Sequence, residues 1–109
     1  MEDRVEISLL MDIYGSLLTD KQMKIMELYY NEDLSLAEIA ELNNTSRQAI
    51  HDLIKRCYKQ FLSYESKLKL LEKNISQNKI KNDLLKEINE KYSLTLEDFE
   101  RYKSILEDL

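Results

Sequence analysis

Residues 36–55 read LAEIAELNNTSRQAIHDLIK, and this stretch decides the fold. Ser35, immediately before it, forms an S-x-x-E capping box with Glu38, in which each side chain binds the other residue's backbone N–H. That box opens a short helix running to about Leu42. Asn43-Asn44 ends the helix, because Asn is the residue besides Gly that most readily takes the left-handed conformation. Thr45 or Ser46 caps the next helix, and Thr45 with Gln48 offers a T-x-x-Q box. Ala40 has to be small where the two helices cross closely, and Asn44 takes the turn position. Ile39, Leu42, Ile50 and Leu53 face inward and hold the helices at a steep angle. The order of small residue, turn, cap and β-branched residue follows the helix-turn-helix pattern.

The second helix of this pair is the expected recognition helix. Ile50, Leu53, Ile54 and Cys57 point inward, which leaves Arg47, Gln48, His51, Asp52, Lys55 and Lys59 outward. Arg47 and Gln48 lie in the first turn, the part that usually reaches base edges. Arg pairs bidentately with guanine and Gln with adenine. Ser46 and the helix N-terminus suit a phosphate, and Lys55, Arg56 and Lys59 are expected to hold further phosphates. Asp52 would face a phosphate unless it pairs with Arg56 one turn on. The candidate nucleic-acid-binding residues are therefore Ser46, Arg47, Gln48, His51, Lys55, Arg56 and Lys59. For His51, a direct contact and a merely solvated position both remain open.

Outside the motif, the chain of 109 residues has one glycine, Gly15, and no proline. That argues against a β-sandwich or barrel and excludes the glycine-rich phosphate cradles. The expected fold is all-α. Val5, Leu9 or Leu10, Ile13 and Leu17 sit at helical spacing, with Gly15 weakening the last turn. Thr19 and Gln22 make a T-x-x-Q box for a helix to about Tyr30, with Met23, Met26 or Ile25, and Tyr30 inward. After the motif, Ile54, Cys57, Phe61, Tyr64, Leu68, Leu71 and Ile75 are spaced 3, 4, 3, 4, 3, 4, a heptad seam. It is expected to form a dimer contact or to pack within the chain. Ser63 and Ser66 leave a break open there, and a turn or hinge is expected between Asn74 and Asn82. Leu84, Leu85, Ile88 and Tyr92 mark a fifth segment. Thr95 and Asp98 start a last helix lined by Phe99, Tyr102, Leu106 and Leu109. The expected domains are 1–62, the helix-turn-helix unit, and 63–109, a helical extension for which a dimerising role is left open.

The formal net charge is −5, but its distribution is uneven. Residues 1–42 carry 3 basic and 10 acidic side chains, a net of −7. Residues 43–82 carry 9 and 3, a net of +6, and residues 83–109 carry 4 and 8, a net of −4. Exposed charges are screened beyond about 10 Å, so the basic middle acts locally. One cysteine and one histidine cannot supply a structural zinc site, and no cofactor or catalytic group is expected. No apolar run reaches the ~20 residues that span a bilayer, and the start, MEDRVEIS, has no leader pattern. The tyrosines fall mostly at core spacing, and Cys57 is read as a buried, inert thiol.

The stretch SLAEIAELNNTSRQAIHDLIKRCYKQF, with LTDKQMKIMELYYNEDLS before it, resembles the region-four DNA-binding module of sigma-70-type factors. The whole chain resembles the YlxM family of small bacterial helix-turn-helix proteins. It departs at Asn43 and Thr45, where relatives more often carry apolar residues. The resemblance implies a cytoplasmic protein whose gene neighbours those of the signal recognition particle, and a role in that pathway, such as modulating the Ffh GTPase. Three readings follow. The first is a regulator that binds duplex DNA, normally as a homodimer. The second is an accessory protein of signal recognition particle RNA or protein. The third is a structural helical dimer with a vestigial motif.

Overall fold

A computed structural model describes residues 3–109. Six α-helices follow one another: α1 Arg4–Tyr14, α2 Asp20–Tyr30, α3 Leu36–Leu42, α4 Arg47–Leu68, α5 Leu70–Tyr92 and α6 Leu96–Glu107. A 3-10 turn, Gly15–Leu17, joins α1 to α2, and there is no strand among the described residues. The all-α architecture is that expected from the sequence. Two compact units divide the chain, Met1–Leu71 and Glu72–Leu109.

Local capping accounts for where most helices begin. Thr19 and Ser35 are N-caps of complete boxes, closed by the side chains of Gln22 and Glu38. Thr95 accepts from the Asp98 N–H at the start of α6. The Ser35 N–H donating to the Glu38 carboxylate, helped by the Ser35 hydroxyl, holds that group below the usual glutamate range. A lowered folded pKa means stability that is present above about pH 4.3 and lost as pH falls through the folded value. Thermal melts followed by circular dichroism should therefore show wild type losing more stability between pH 6 and pH 3 than Glu38→Gln. Equal losses would mean the box contributes nothing to the pH dependence.

The core of the first unit is built from Ile7, Leu10, Met11 and Tyr14 of α1, Ile25, Met26 and Tyr30 of α2, Ile39 and Ala40 of α3, and Ile50, Ile54, Cys57 and Phe61 of α4. The expected face of α1 is corrected in part: of the alternatives Leu9 and Leu10 it is Leu10 that is buried, while Val5, Leu9 and Leu17 are exposed and Ile13 is only half-buried. Both sets have helical spacing, but the phase containing Tyr14 is the one that reaches α4. Gly15 has a right-handed backbone, and a Cβ there would lie 2.8 Å from the Met23 methyl carbon, so the flexible end of Met23 would have to shift to accept one. Burial raises the pKa of the Cys57 thiol.

The heptad seam is cut. Lys69 stands between α4 and α5 with φ 53°, the left-handed region. Ile54, Cys57 and Phe61 are spent on the core of their own unit. Tyr64 and Leu71 pack against that core, while Leu68 and Ile75 remain exposed. What holds the turn is a contact distant in sequence. The Tyr14 hydroxyl donates to Glu65 Oε1 at 2.7 Å and accepts from the Leu70 N–H at 3.2 Å. Glu65 Oε1 also accepts from the Leu71 N–H at 3.0 Å. These bonds satisfy N–H groups that the start of α5 would otherwise leave without partners. The hinge expected between Asn74 and Asn82 is absent, because the chain has already turned at Lys69 and α5 runs through that region. For the same reason the division falls after Leu71 rather than after residue 62. Nor does a break form at Ser63 or Ser66.

In the second unit, Leu85 is buried between α5 and α6, with Ile88, Phe99, Tyr102 and Leu106 half-buried. Tyr92 and Leu109, expected to line these helices, are exposed. No helix of the described residues is long and apolar enough to cross a membrane.

Candidate nucleic-acid interface

The site begins with the turn between α3 and α4. Asn43 is the C-cap of α3, and Asn44 follows at φ 50°. The Asn44 N–H donates to the Glu41 carbonyl at 3.3 Å and the Thr45 N–H to the Ala40 carbonyl at 3.0 Å. This paired pattern is a Schellman motif, with Asn44 in the place usually taken by Gly. Asn43 adds its side-chain Nδ2, which donates to the Ile39 carbonyl at 2.7 Å. A polar residue at this half-buried position is thus satisfied locally, and the same turn geometry is reached without an apolar residue.

Ser46 then caps α4, its hydroxyl accepting from the Ala49 N–H at 3.0 Å. The expected Thr45–Gln48 box does not form. Ser46 is the residue with extended backbone next to the helix, so Gln48 is one position too early to reach back to the cap. Ala40 is buried at the crossing, as its size requires, whereas Leu42 is 65% exposed and does not face inward.

Because α4 advances 3.6 residues per turn, the buried stripe Ile50, Ile54, Cys57 and Phe61 sets its other faces. Gln48, Asp52, Lys55 and Lys59 form the opposite stripe and are all exposed. Arg47 and the half-buried His51 flank it on one side, where they line a shallow groove with Gln48 and Leu36 of α3. Arg56 and Ala49 flank it on the other, in a second open groove with Asp52, Lys55 and Lys59. All seven candidate residues therefore stand on the first four turns of α4 or at its cap; Arg47, Gln48 and His51 line one shallow groove, Lys55, Arg56 and Lys59 the other, and Ser46 lines neither. Neither groove encloses a small molecule.

Sequence reading did not assign Leu36 and Ala49 to the surface of the site. Ala49 could have been found from the helical phase, since it lies on the side of α4 away from α3. Leu36 becomes adjacent only through the crossing of α3 over α4. The pairing of Asp52 with Arg56 that would have turned the carboxylate away from phosphate does not form. Gln48 Nε2 instead donates to Asp52 Oδ1 at 2.9 Å, and His51 Nδ1 lies 3.8 Å from the same oxygen. Among the described residues, no group of three or more His, Cys, Asp or Glu side chains could hold a metal ion.

A family model described as "UPF0122: Putative helix-turn-helix protein, YlxM / p13 like" matches residues 1–107. The chain belongs to the UPF0122 family. A UPF0122 protein of Clostridium botulinum (strain Alaska E43 / Type E3) is 64% identical over 109 residues, covering 100% of both chains. One from Clostridium perfringens (strain SM101 / Type A) is 60% identical over 102 residues, 94% of this chain and 90% of the relative. One from Clostridium novyi (strain NT) is 56% identical over 110 residues, 100% of this chain and 93% of the relative. In this UPF0122 protein, α3 and α4 are two helices joined by a short turn with a left-handed residue, Asn44, consistent with the helix-turn-helix named in the family's description.

Proposed function

We propose that this UPF0122 protein is a non-enzymatic, cytoplasmic regulatory protein that binds duplex DNA through α4. The observation that carries the reading is the Ser46-capped start of α4 opposite its buried stripe. It puts Arg47 and Gln48 in an exposed first turn, with Lys55, Arg56 and Lys59 two to three turns further along. In this arrangement Arg47, Gln48 and His51 meet base edges, while Ser46, Lys55, Arg56 and Lys59 meet phosphates. The deciding experiment is retention of the purified protein on duplex DNA, on signal recognition particle RNA and on the Ffh protein. Retention on duplex DNA at low salt supports the regulator; retention on neither nucleic acid overturns it.

A second reading is favoured by the net charge of −7 over residues 1–42. An acidic segment of this size suits a protein partner better than a polyanion. Together with the sequence resemblance, it supports an accessory role in the signal recognition particle pathway, acting on the Ffh GTPase; its RNA, as partner, would meet the basic face of α4 rather than the acidic segment. In that case the basic face of α4 is a docking surface, and retention on Ffh or its RNA without duplex binding is the expected result. A vestigial motif in a structural dimer would give retention on none of the three.

A reader of this kind usually doubles its site by dimerising, and we propose a homodimer. Leu68, 53% exposed, belongs to the part of the seam that the first unit does not consume. Leu68→Glu should keep the helicity of that unit and, at a dilution where wild type is monomeric, its melting temperature, since surface changes usually stay within about 0.5 kcal/mol. It should also convert a dimer to a monomer in light scattering at high micromolar concentration. Monomeric wild type under those conditions would refute the dimer.

A further inference from the structure

We infer that Asp52 is a base-reading residue that selects for an exocyclic amino group, that of cytosine or adenine, in the major groove. The inference rests on the duplex-binding reading above. Asp52 occupies the middle of the outward stripe of α4, between Gln48 one turn before it and Lys55 and Lys59 after it. Its side chain is 57% exposed. Among the described residues, neither Lys55, Arg56 nor Lys59 comes within ion-pair distance of it. Its contacts, from Gln48 Nε2 at 2.9 Å and from His51 Nδ1 at 3.8 Å, are both made at Oδ1. Oδ2 is left as an acceptor on the exposed face.

A carboxylate on a face that approaches phosphates lowers affinity for every sequence. It is compatible with tight binding only where it meets a donor. In the major groove the base-edge donors are the cytosine N4 and adenine N6 amino groups; guanine N7 and O6 and thymine O4 are acceptors and are repelled. Gln48 helps to hold the carboxylate in place, since one of its Nε2 hydrogens is committed to Asp52 Oδ1; its other N–H and its Oε1 remain for a neighbouring base. Asp52 thus trades general affinity for discrimination, the converse of what Lys55 and Lys59 do.

That trade has a signature that a solvated surface aspartate would not produce. Sites are selected from a random duplex library with wild type, Asp52→Asn and Asp52→Ala. Binding of each protein to the selected and to an unrelated duplex is then titrated at two salt concentrations. Circular dichroism checks that helicity is unchanged. Both variants are expected to bind the unrelated duplex more tightly than wild type. Discrimination at one cytosine- or adenine-bearing position should fall by roughly 5- to 150-fold, the equivalent of about 1–3 kcal/mol. Unchanged discrimination, with or without tighter binding, overturns the role of Asp52 while leaving the duplex-binding reading intact. Wild type that binds no duplex overturns that reading and this inference with it.

Discussion

Phe61→Ala is expected to lower the unfolding free energy of the Met1–Leu71 unit by about 3–5 kcal/mol, the cost of removing a fully enclosed aromatic ring. Phe61 is wholly buried, on the same stripe as Ile54 and Cys57, and its unit is held together by a single cluster of apolar side chains. Stabilities of small domains are only about 5–15 kcal/mol, so the loss removes a large share of the total. Thermal and urea unfolding followed by circular dichroism measure it. The informative comparison is with Leu68→Glu, seven positions along the heptad seam. If the seam were a single interchain surface, the two changes would act alike, both on association. With the seam cut at Lys69, Phe61→Ala acts on the fold of the monomer and Leu68→Glu on association alone. At a dilution where wild type is monomeric, a melting temperature lowered equally by both would contradict that division.

The second large effect concerns binding. Arg47→Ala should cost about 1–3 kcal/mol and relax the preference at one base position. Lys59→Ala should weaken binding to all duplexes alike and reduce the slope of log affinity against log salt by about one. Arg47 stands in the first exposed turn beside Gln48, whereas Lys59 lies three turns further along the outward stripe. Titrations of wild type and both variants at two salt concentrations separate the roles. If both variants change only the salt slope, α4 contacts the backbone without reading bases. If neither changes anything, the basic face of α4 is not the binding surface.

Several features of the site were legible from short-range chemistry alone. Asn44 as the left-handed residue of the turn, Ser46 as a possible cap, and the inward set Ile50, Ile54 and Cys57 each depend on neighbours within about one helical turn. Whether Asp52 pairs with Arg56 was left open by the sequence, because Gln48 and Arg56 are equally spaced from it. An i,i+4 rule allows both, and only side-chain placement chooses between them. Leu36 was missed because it belongs to another helix.

For this protein the sequence by itself determined the helix class, the starts of α2, α3, α4 and α6, and the turn that aims α4. The physical reason is that caps, boxes and left-handed turns are bonds between residues no more than five apart, so neighbouring residues specify them; where two caps were on offer, Thr45 and Ser46, the backbone selected Ser46. Tertiary structure alone decided which of two helical stripes of α1 is buried, where the seam stops, and where one unit gives way to the next. Nothing local marks Lys69 as a break; a lysine ordinarily favours helix there. The left-handed turn is held by Tyr14 and Glu65, residues 51 positions apart, whose bonds reach the N–H groups at the start of α5. A heptad pattern records which side chains are apolar and at what spacing. Whether they meet their own chain is set by a hydroxyl and a carboxylate that the pattern does not contain.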